Sequence, residues 1–359
     1  MMKRVYIIQP AVPKYRIPFF DKISNKYNLI VISNKKDFLG VSSVEDRNYI
    51  VFGQGFTTFL KKAYWHNNLP LIKPYKKGDT VIINGNPRIL NYMILMIILK
   101  LRGIQVVWWG HGWSAGSHGI LAKVRLNILK IADKRVFYTD DELNKINLRK
   151  SFALNNGLCS TQIKLASSSF QCDRYQRISL LRKFKFIFIG RLTDKSKILT
   201  LLEALNLAPN NVYLKIIGDG PLLNCVKDYV LNNSLSDRIE VVGAVFDEES
   251  IAKEMHDAHF FVYPGSIGLS LIHAFNYGLP ALIHNNSEHH MPEFAAFKPG
   301  VNGFTFEQDN YEDLSSVMKY ISNLSVDELK KLSSNSLETV TKSFNVDDMF
   351  QRFVCMIED

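Results

Sequence analysis

The chain has few cysteines and no long apolar run. Its four cysteines, Cys159, Cys172, Cys225 and Cys355, are spread along 359 residues without paired spacing. That distribution argues against a zinc site and against a disulfide framework, and it is typical of a protein in a reducing compartment. The longest apolar run, Tyr92–Leu99, is far too short to span a bilayer.

The N-terminus also lacks the apolar core of a secretory signal. Two methionines, Lys3 and Arg4 are followed at once by Val5–Ile8, a pattern that predicts a first strand. We therefore expect a cytoplasmic protein. Hydrophobic residues make up 47% of the chain and aromatic residues 12%, which is enough for the cores of one large or two ordinary domains.

Acidic residues are scarce in the first half. Residues 1–170 contain 26 Lys and Arg but 9 Asp and Glu; from totals of 44 and 34, that leaves 18 basic and 25 acidic residues beyond them. This asymmetry predicts two domains with different partners. For the basic half, an anionic membrane surface is one candidate and an ordinary solvated surface is the alternative. No nucleic acid is expected, because the basic residues form no recognisable nucleic-acid module.

The most informative stretch is Phe260–Pro280. Phe260–Tyr263 predicts a buried strand, residues 264–268 a loop of small residues, and Leu269–Tyr277 a helix that Gly278 ends. Free backbone amides at the start of such a helix attract anions, above all phosphate. An ordinary strand-to-helix turn is the alternative.

Elsewhere, apolar runs of strand length alternate with segments of helical period. Strands of the first half are predicted at Val5–Ile8, Leu29–Ser33, Thr80–Asn84, Ile104–Trp109 and Arg135–Thr139. Strands of the second half are predicted at Phe184–Ile189, Val212–Ile217, Ile239–Val242, Phe260–Tyr263 and Pro280–His284. The alternation predicts two doubly wound parallel sheets. Residues 35–77 have no clear pattern and are predicted to be irregular, and residues 151–180 are expected to hold a linker.

Two more loops in the second half follow a strand and precede a helix. In one of them, Arg191 offers a fork of donors that matches phosphate oxygens, and Lys195 and Lys197 add point charges. In the other, Gly218 and Gly220 allow a ligand to approach the backbone closely. Since all three loops lie at the carboxyl ends of strands of one sheet, they predict a site for a nucleoside diphosphate.

Four segments in this order and spacing resemble the retaining group 1 glycosyltransferases, family four of the sequence-based classification. They are Gly190–Leu192, Ile217–Pro221, Val242–Gly243 and Gly268–Ala274, and the resemblance covers residues 184–324. It implies an α/β protein of the GT-B fold, with two Rossmann-like doubly wound domains facing each other across a cleft. It also implies an acceptor-binding domain over residues 1–172, a nucleotide-sugar-binding domain over 173–345, and a C-terminal helix over 346–359 that packs back on the first domain.

The resemblance carries donor-binding roles over residue by residue. Arg191 matches an arginine that binds the donor diphosphate, whereas the family's lysine falls on Ser196, so a flanking lysine must substitute. The family's two glutamates, seven residues apart, fall on Gly265 and His273. The second ordinarily holds the ribose hydroxyls, a role that His273 can keep; a core histidine is the alternative. The expected donor contacts are Gly190, Arg191, Lys195, Lys197, Gly218, Gly220, Gly243, Gly265, Ser266, Gly268, Leu269, Ser270, His273 and Glu293.

Three residues of the first half receive roles in the same way. His111 follows a central strand and matches a histidine near the donor sugar, where it would donate to a sugar hydroxyl or beside the anomeric centre; a loop cap is the alternative. It is the expected catalytic residue, although not as a general base. Tyr15 and Arg16 lie in the loop after the first strand and are expected to bind the acceptor; a surface arginine is the alternative.

The resemblance thus implies a retaining glycosyltransferase that uses no metal and no cofactor other than its nucleoside-diphosphate sugar co-substrate. The expected acceptor is a lipid-linked glycan of O-antigen or capsule biosynthesis. The expected location is the inner face of the plasma membrane, bound peripherally through the basic half. A nucleotide-sugar epimerase of the same fold and a non-catalytic nucleotide-sugar-binding scaffold stay open. The base, the sugar, the linkage and the oligomeric state are not determined by the sequence.

Overall fold

The chain folds into two compact units. A computed structural model describes residues 2–35, 38, 41, 43–44, 47–59, 62–112, 126–170, 175 and 183–359. The first unit contains Met1–Cys159 together with Val346–Asp359, and the second unit contains Ser160–Asn345. The predicted boundary between residues 172 and 173, like Cys172 itself, lies outside the described residues.

A parallel sheet forms the centre of the first unit. Its strands are β1 Arg4–Ile8, β2 Asn28–Asn34, β3 Ile50–Gly53, β6 Thr80–Asn84, β7 Gln105–Trp109, β8 Lys134–Phe137 and β9 Ser151–Ala153. Over the described residues their order is β3-β2-β1-β6-β7-β8-β9, with every neighbouring pair parallel. The strand order reverses between β1 and β6, so the sheet is doubly wound. The remaining two strands, β4 Phe56–Phe59 and β5 Ala63–His66, form a separate antiparallel hairpin.

Helices cover both faces of this sheet. The helices described in the first unit are Ile17–Lys26, Leu90–Leu101, Asp140–Ile146 and Val346–Glu358. The first and last of them pack together on one face, where the rings of Phe19 and Phe353 meet edge-on with centroids 5.6 Å apart. Leu90–Leu101 packs on the other face. The C-terminal helix is thus part of the core of the first unit.

A second parallel sheet forms the centre of the second unit. Its strands are β10 Phe184–Ile189, β11 Val212–Ile217, β12 Ile239–Gly243, β13 Phe260–Tyr263, β14 Ala281–His284 and β15 Gly303–Phe306. They run in the order β12-β11-β10-β13-β14-β15, and all pairs are parallel. The helices around it are Ser160–Ser167, Ile198–Leu207, Leu223–Asn232, Glu248–Asp257, Leu269–Asn276, Tyr311–Ser322 and Val326–Lys342. The prediction of two doubly wound α/β domains is confirmed.

The prediction of irregular structure over residues 35–77 is wrong, because β3, β4 and β5 lie there. Each of these strands has only four residues; β4 is largely exposed, β3 has one buried residue and β5 has two, so no run of buried apolar residues marks them. The region expected to hold a linker contains β9 and the helix Ser160–Ser167. Strand β15 is also missing from the prediction, because its two middle residues are only partly buried and it has no buried apolar run.

The sequence also predicts two helices in the first half, over residues 121–132 and 140–150. The helix expected over residues 140–150 ends at Ile146, because Asn147 adopts a left-handed conformation with φ of 45°. The helix expected over residues 121–132 lies partly outside the described residues. Within the part of the chain that the structure describes, no helix has both the length and the apolar character to cross a bilayer.

Replacing Phe353 by alanine should strongly destabilise the first unit. Phe353 is 1% exposed and packs on Phe19, so truncation removes apolar contacts and leaves a cavity, at a cost of about 3–5 kcal/mol. Cys355→Ala on the same helix is the control, since Cys355 is exposed. Urea unfolding of both variants gives the free energies, and equal values would show that the helix does not support the core.

Candidate functional site

The second sheet has its topological switch point between β10 and β13. These strands are neighbours in the sheet although about seventy residues separate them in sequence, and the chain leaves them toward opposite edges. Ligands of doubly wound sheets bind at the carboxyl ends of the strands at such a point. The loops that follow β10 and β13, residues 190–197 and 264–268, are two of the loops that the sequence predicts to bind phosphate.

These two loops are in direct contact. Ser266 N donates to Lys195 O at 3.2 Å. A Cβ atom on Gly265 would lie 2.0 Å from that same carbonyl oxygen, so no side chain fits at position 265 without moving the backbone. The absence of the family's first glutamate therefore has a steric cause in this chain.

The loop after β11 packs on the loop after β10 in the same manner. Leu192 N donates to Asp219 O at 2.9 Å. A Cβ atom on Gly218 would lie 1.9 Å from Gly190 O, and one on Gly220 would lie 2.4 Å from Leu192 O. Gly243, the last residue of β12, continues the series, because its carbonyl accepts from Gly218 N at 2.8 Å. The structure thus brings the glycines predicted from the sequence together at one edge of the sheet.

Three cations follow β10, and they differ in their surroundings. Lys197 forms an ion pair with Asp309, with 2.9 Å between Nζ and Oδ1. Arg191 and Lys195 are exposed, and neither side chain makes a hydrogen bond or ion pair within the described part of the chain. Ser196, at the family's lysine position, is fully buried and its hydroxyl caps the turn at Thr193. Between the two flanking lysines, Lys195 is the one without a protein carboxylate.

The helix Leu269–Asn276 begins at this edge. Gly268 is its N-cap, and the amides of Leu269 and Ser270 belong to the first turn, where no helical carbonyl is available to them. Glu293 is 5% exposed, and its Oε2 lies 3.7 Å from where a Cβ of Gly268 would stand. The carboxylate of Glu293 is therefore held beside the start of the helix.

Two stacked histidines support the loop before that helix. His284 and His290 lie with ring centroids 3.7 Å apart, and His290 Nδ1 accepts from Ile267 N at 3.2 Å. Burial lowers the pKa of His284 to about 3 and that of His290 to about 4, so both rings are neutral near pH 7. His290 is therefore a structural acceptor, whereas His289 is exposed.

His273 is engaged by a carboxylate from another helix. Its Nε2 lies 2.7 Å from Glu248 Oε1, the same oxygen that accepts from the Tyr277 hydroxyl at 2.6 Å. Burial and the neighbouring Glu248 raise the pKa of Tyr277. The Glu248 side chain is 39% exposed, and Phe246, in the loop just before this helix, is 87% exposed. Sequence reasoning missed Glu248 because an acid there looks like an ordinary first-turn residue.

In the first unit, His111 follows β7 and is oriented by Glu142. His111 Nδ1 lies 2.9 Å from Glu142 Oε1, while Glu142 Oε2 accepts from Tyr138 N at 2.9 Å. Since a carboxylate only accepts, Nδ1 carries the proton, and a neutral His111 presents Nε2 as an acceptor. Thr139 followed three residues later by glutamate is a helix-start pattern in the sequence, but that pattern does not show that Glu142 contacts His111.

Tyr15 and Arg16 lie between β1 and the helix Ile17–Lys26. Tyr15 is 39% exposed, whereas Arg16 is 6% exposed. The Arg16 guanidinium lies over the rings of Tyr15 and Trp109, with its Cζ 5.3 Å and 5.1 Å from their centroids. The alternative of a surface arginine at position 16 is therefore excluded.

Comparison with known proteins gives a family match in the second unit. Residues 173–339 match the family model described as "Glycosyl transferases group 1". No curated protein sequence matches the chain significantly.

Solved structures resemble the chain over nearly its whole length. A glycosyltransferase from Rickettsia africae aligns with a TM-score of 0.70 and 16% identity, covering 99% of this chain and 97% of that one. HepE of Anabaena in complex with UDP aligns with a TM-score of 0.68 and 14% identity, covering 99% of this chain and 100% of that one. The lipopolysaccharide outer core galactosyltransferase WaaB aligns with a TM-score of 0.67 and 14% identity, covering 99% of both chains.

At these identities the structural likeness establishes the fold, and the family match concerns the unit that holds the glycine-lined loops. The chain therefore has the GT-B fold, carries a group 1 glycosyltransferase domain over residues 173–339, and is a glycosyltransferase.

Proposed function

We propose that the enzyme transfers a sugar from a nucleoside-diphosphate sugar to a lipid-linked glycan acceptor, with retention at the anomeric carbon and without a metal. O-antigen or capsule biosynthesis is the proposed setting. Solved relatives support the donor class, since HepE is described in complex with UDP and with UDP-glucose. WaaB, a lipopolysaccharide galactosyltransferase, is in keeping with a surface-glycan acceptor.

One observation carries the donor assignment. The loops after β10, β11 and β13 contact one another at the switch point, and two cations without protein partners, Arg191 and Lys195, lie in the first of them. The first turn of the helix Leu269–Asn276 adds backbone donors at the same edge. A pyrophosphate needs such a combination of positive charge and unpaired amides.

The proposed chemistry is the one that the resemblance to retaining group 1 enzymes implies, and this charge distribution supports it. The bond between the sugar C1 and the diphosphate oxygen breaks, a bond from C1 to the acceptor oxygen forms on the same face, and the acceptor proton passes to the leaving phosphate. Arg191, Lys195 and the helix amides would stabilise the charge that develops on the phosphate. His111, held by Glu142, would bind a sugar hydroxyl and so position the reacting carbon.

Glu248 and Phe246 are the residues proposed for the nucleoside end of the donor. The Glu248 carboxylate lies beside position 273, where the resemblance expects the glutamate that holds the ribose. Phe246 exposes an aromatic face three loop positions after Gly243. A carboxylate can accept from both hydroxyls of a ribose, and an aromatic ring can stack on a base.

The membrane part of the proposal is supported by an exposed apolar stripe. Leu90, Ile94, Ile97 and Leu101 recur at helical spacing on the helix Leu90–Leu101, and each is at least 40% exposed. Arg102, at the end of this helix, donates through Nη2 to Tyr75 O at 2.9 Å. This hydrogen bond joins the helix to the segment around Tyr75, in which three lysines are exposed: Lys73, Lys76 and Lys77. An apolar stripe bordered by cations suits the surface of an anionic bilayer.

Arg191→Ala should weaken binding of the nucleoside diphosphate by about 10- to 100-fold, because hydrogen bonds to charged groups contribute about 1.5–3 kcal/mol. Isothermal titration with UDP, GDP and TDP measures the affinity and identifies the base. Lys197→Ala is the matched control, since Lys197 is paired with Asp309, and its affinity should change by less than about threefold. Equal affinities for Arg191→Ala and the parent would contradict the donor assignment.

Glu142→Gln should lower kcat by about 10-fold or more while leaving nucleotide affinity unchanged, because His111 loses the charged partner that fixes its Nδ1 proton. Steady-state kinetics with a labelled donor separates kcat from KM. Thr139→Ala is the control: it removes the helix cap but keeps the carboxylate. The product's anomeric configuration, read by proton NMR, tests retention, and donor conversion without an acceptor would instead indicate an epimerase.

The double variant Ile94→Glu/Ile97→Glu should reduce binding to vesicles that contain anionic lipid by about 10-fold or more, because two charges then enter the apolar stripe. Flotation at low and high salt measures binding. The control is Leu231→Glu, which places a charge at a residue of the second unit that is 68% exposed; this variant should bind the vesicles as the parent does. Unchanged flotation of the double variant would exclude this helix as the contact.

A further inference from the structure

We infer that the first unit contains a binding site for an oxyanion of the acceptor, built from Arg16 and a row of buried polar side chains. The inference rests on the proposed function in one respect, namely that the first unit binds the acceptor. It adds the chemical class of the group that is bound, a phosphate or a carboxylate.

The row crosses four neighbouring strands at the carboxyl edge of the first sheet. Strand register places Ile8 beside Ile32 on one side and beside Ile83 on the other, and Gln9 N continues the ladder by donating to Ile32 O at 3.0 Å. One residue further along each strand stand Ser33, Gln9, Asn84 and Trp109, of which the last two are paired directly. Residues in one row of a parallel sheet point to the same face.

That face is the one that the helices Ile17–Lys26 and Val346–Glu358 cover. Val5 and Ile7, which alternate with Tyr6 and Ile8 along β1, belong to the core under these helices, and so does Trp109. Gln9, two residues after Ile7, therefore shares their face. The polar row thus lies at the carboxyl edge of an otherwise apolar layer, next to the start of the helix Ile17–Lys26.

Three atoms of this row are buried without a hydrogen-bond partner among the described residues. They are Ser33 Oγ, Gln9 Nε2 and Trp109 Nε1, and the exposed fractions of these residues are 0%, 9% and 6%. A buried donor without a partner is strongly unfavourable, so such a group calls for a specific explanation. An amide NH₂ and an indole N–H can only donate, and the hydroxyl can do so, so together they match a ligand that accepts hydrogen bonds.

Arg16 supplies the charge. Arg16 is only 6% exposed, yet it forms no ion pair with a carboxylate within the described residues. Its contacts are the ring of Trp109, with Cζ 5.1 Å from the centroid, the ring of Tyr15, and Met349 Sδ at 3.9 Å. Buried charges in proteins are paired, and a guanidinium matches phosphate and carboxylate oxygens with its fork of donors.

The acids of neighbouring elements are committed to other partners. Asp21, on the helix that follows Arg16, accepts from Arg47 and from the Tyr49 hydroxyl. Asp140 pairs with Arg352, at 2.9 Å. Glu142 holds His111. Among the residues that the structure describes, no carboxylate is thus provided for Arg16, and we assign its charge to a ligand oxyanion.

The test follows the NMR resonance of the indole N–H of Trp109 during titration with a ligand. The full chain carries ¹⁵N-labelled tryptophan and Arg191→Ala, which removes the oxyanion site proposed in the second unit. Trp109→Phe assigns the resonance. The probes are inorganic pyrophosphate, methyl glucuronide and, as the neutral control, methyl glucoside. The Trp109 resonance should move in a saturable manner with pyrophosphate or with the glucuronide, and whichever acts identifies phosphate or carboxylate; it should not move with the glucoside.

Arg16→Met should weaken that titration at least 10-fold, because methionine keeps the apolar stem without the charge. Arg88→Met is the matched control: Arg88 also lies over a ring, that of Tyr64, but is bonded to the Lys62 carbonyl, and its removal should change nothing. If Arg16→Met does not fold, Arg16→Lys replaces it in the test, and its affinity for the probe should be at least threefold weaker than that of the parent.

The inference is overturned if neither charged probe moves the Trp109 resonance, or if the Arg16 variants titrate like the parent. Its failure is distinct from failure of the proposed function. With Arg191 intact, Arg16→Met should keep the parent's affinity for the nucleoside diphosphate, and loss of that affinity would instead assign Arg16 to the donor.

Discussion

Backbone lies directly on backbone where the loops after β10, β11 and β13 meet, and this contact decides what the donor site can contain. Carbonyl oxygens of one loop occupy the space where Cβ atoms of Gly218 and Gly265 would stand, at 1.9 Å and 2.0 Å. Glycine is therefore required there by packing, quite apart from any ligand. Since no side chain can project from position 265, recognition near it has to come from backbone groups and from neighbouring loops.

The same constraint makes sense of the pair formed by His273 and Glu248. A carboxylate is missing from the helix Leu269–Asn276, and one is supplied from the start of the helix Glu248–Asp257, held by His273 Nε2 at 2.7 Å and by the Tyr277 hydroxyl at 2.6 Å. A histidine at position 273 fits this arrangement because it can donate to the carboxylate, which a glutamate cannot do. The carboxylate next to position 273 therefore comes from Glu248.

Most strands of the central sheets were predictable because they are buried and rich in β-branched and aromatic residues. Phe260–Tyr263 matches its predicted bounds for that reason. The hairpin of β4 and β5 was not predictable, since four half-exposed residues carry no periodic signal.

For the candidate site, glycines and cations could be found from local spacing, because the loops that carry them follow strands in sequence. Glu142 and Glu248 could not be found in this way, because each acts on a histidine 25 or more residues away in the chain. Such a pairing exists only after strands have been ordered in a sheet. Arg16 is a similar case: its position in the sequence does not show that it is 6% exposed between two aromatic rings.

The cations of the second unit's candidate site are exposed, whereas the arginine of the first unit's candidate site is buried. This difference affects which ligands each site can recognise. Arg191 and Lys195 are exposed on a loop, so water solvates them before a ligand arrives and a diphosphate must displace that water. Arg16 is removed from water by folding alone, so its desolvation is already complete in the folded protein. A preformed, dry guanidinium interacts more strongly with an oxyanion than an exposed one, because the local dielectric constant is lower. It also discriminates more sharply against neutral groups, which would leave the charge uncompensated. In the roles proposed above, the exposed cations would provide affinity for a common diphosphate, whereas the buried one would provide selection among acceptors.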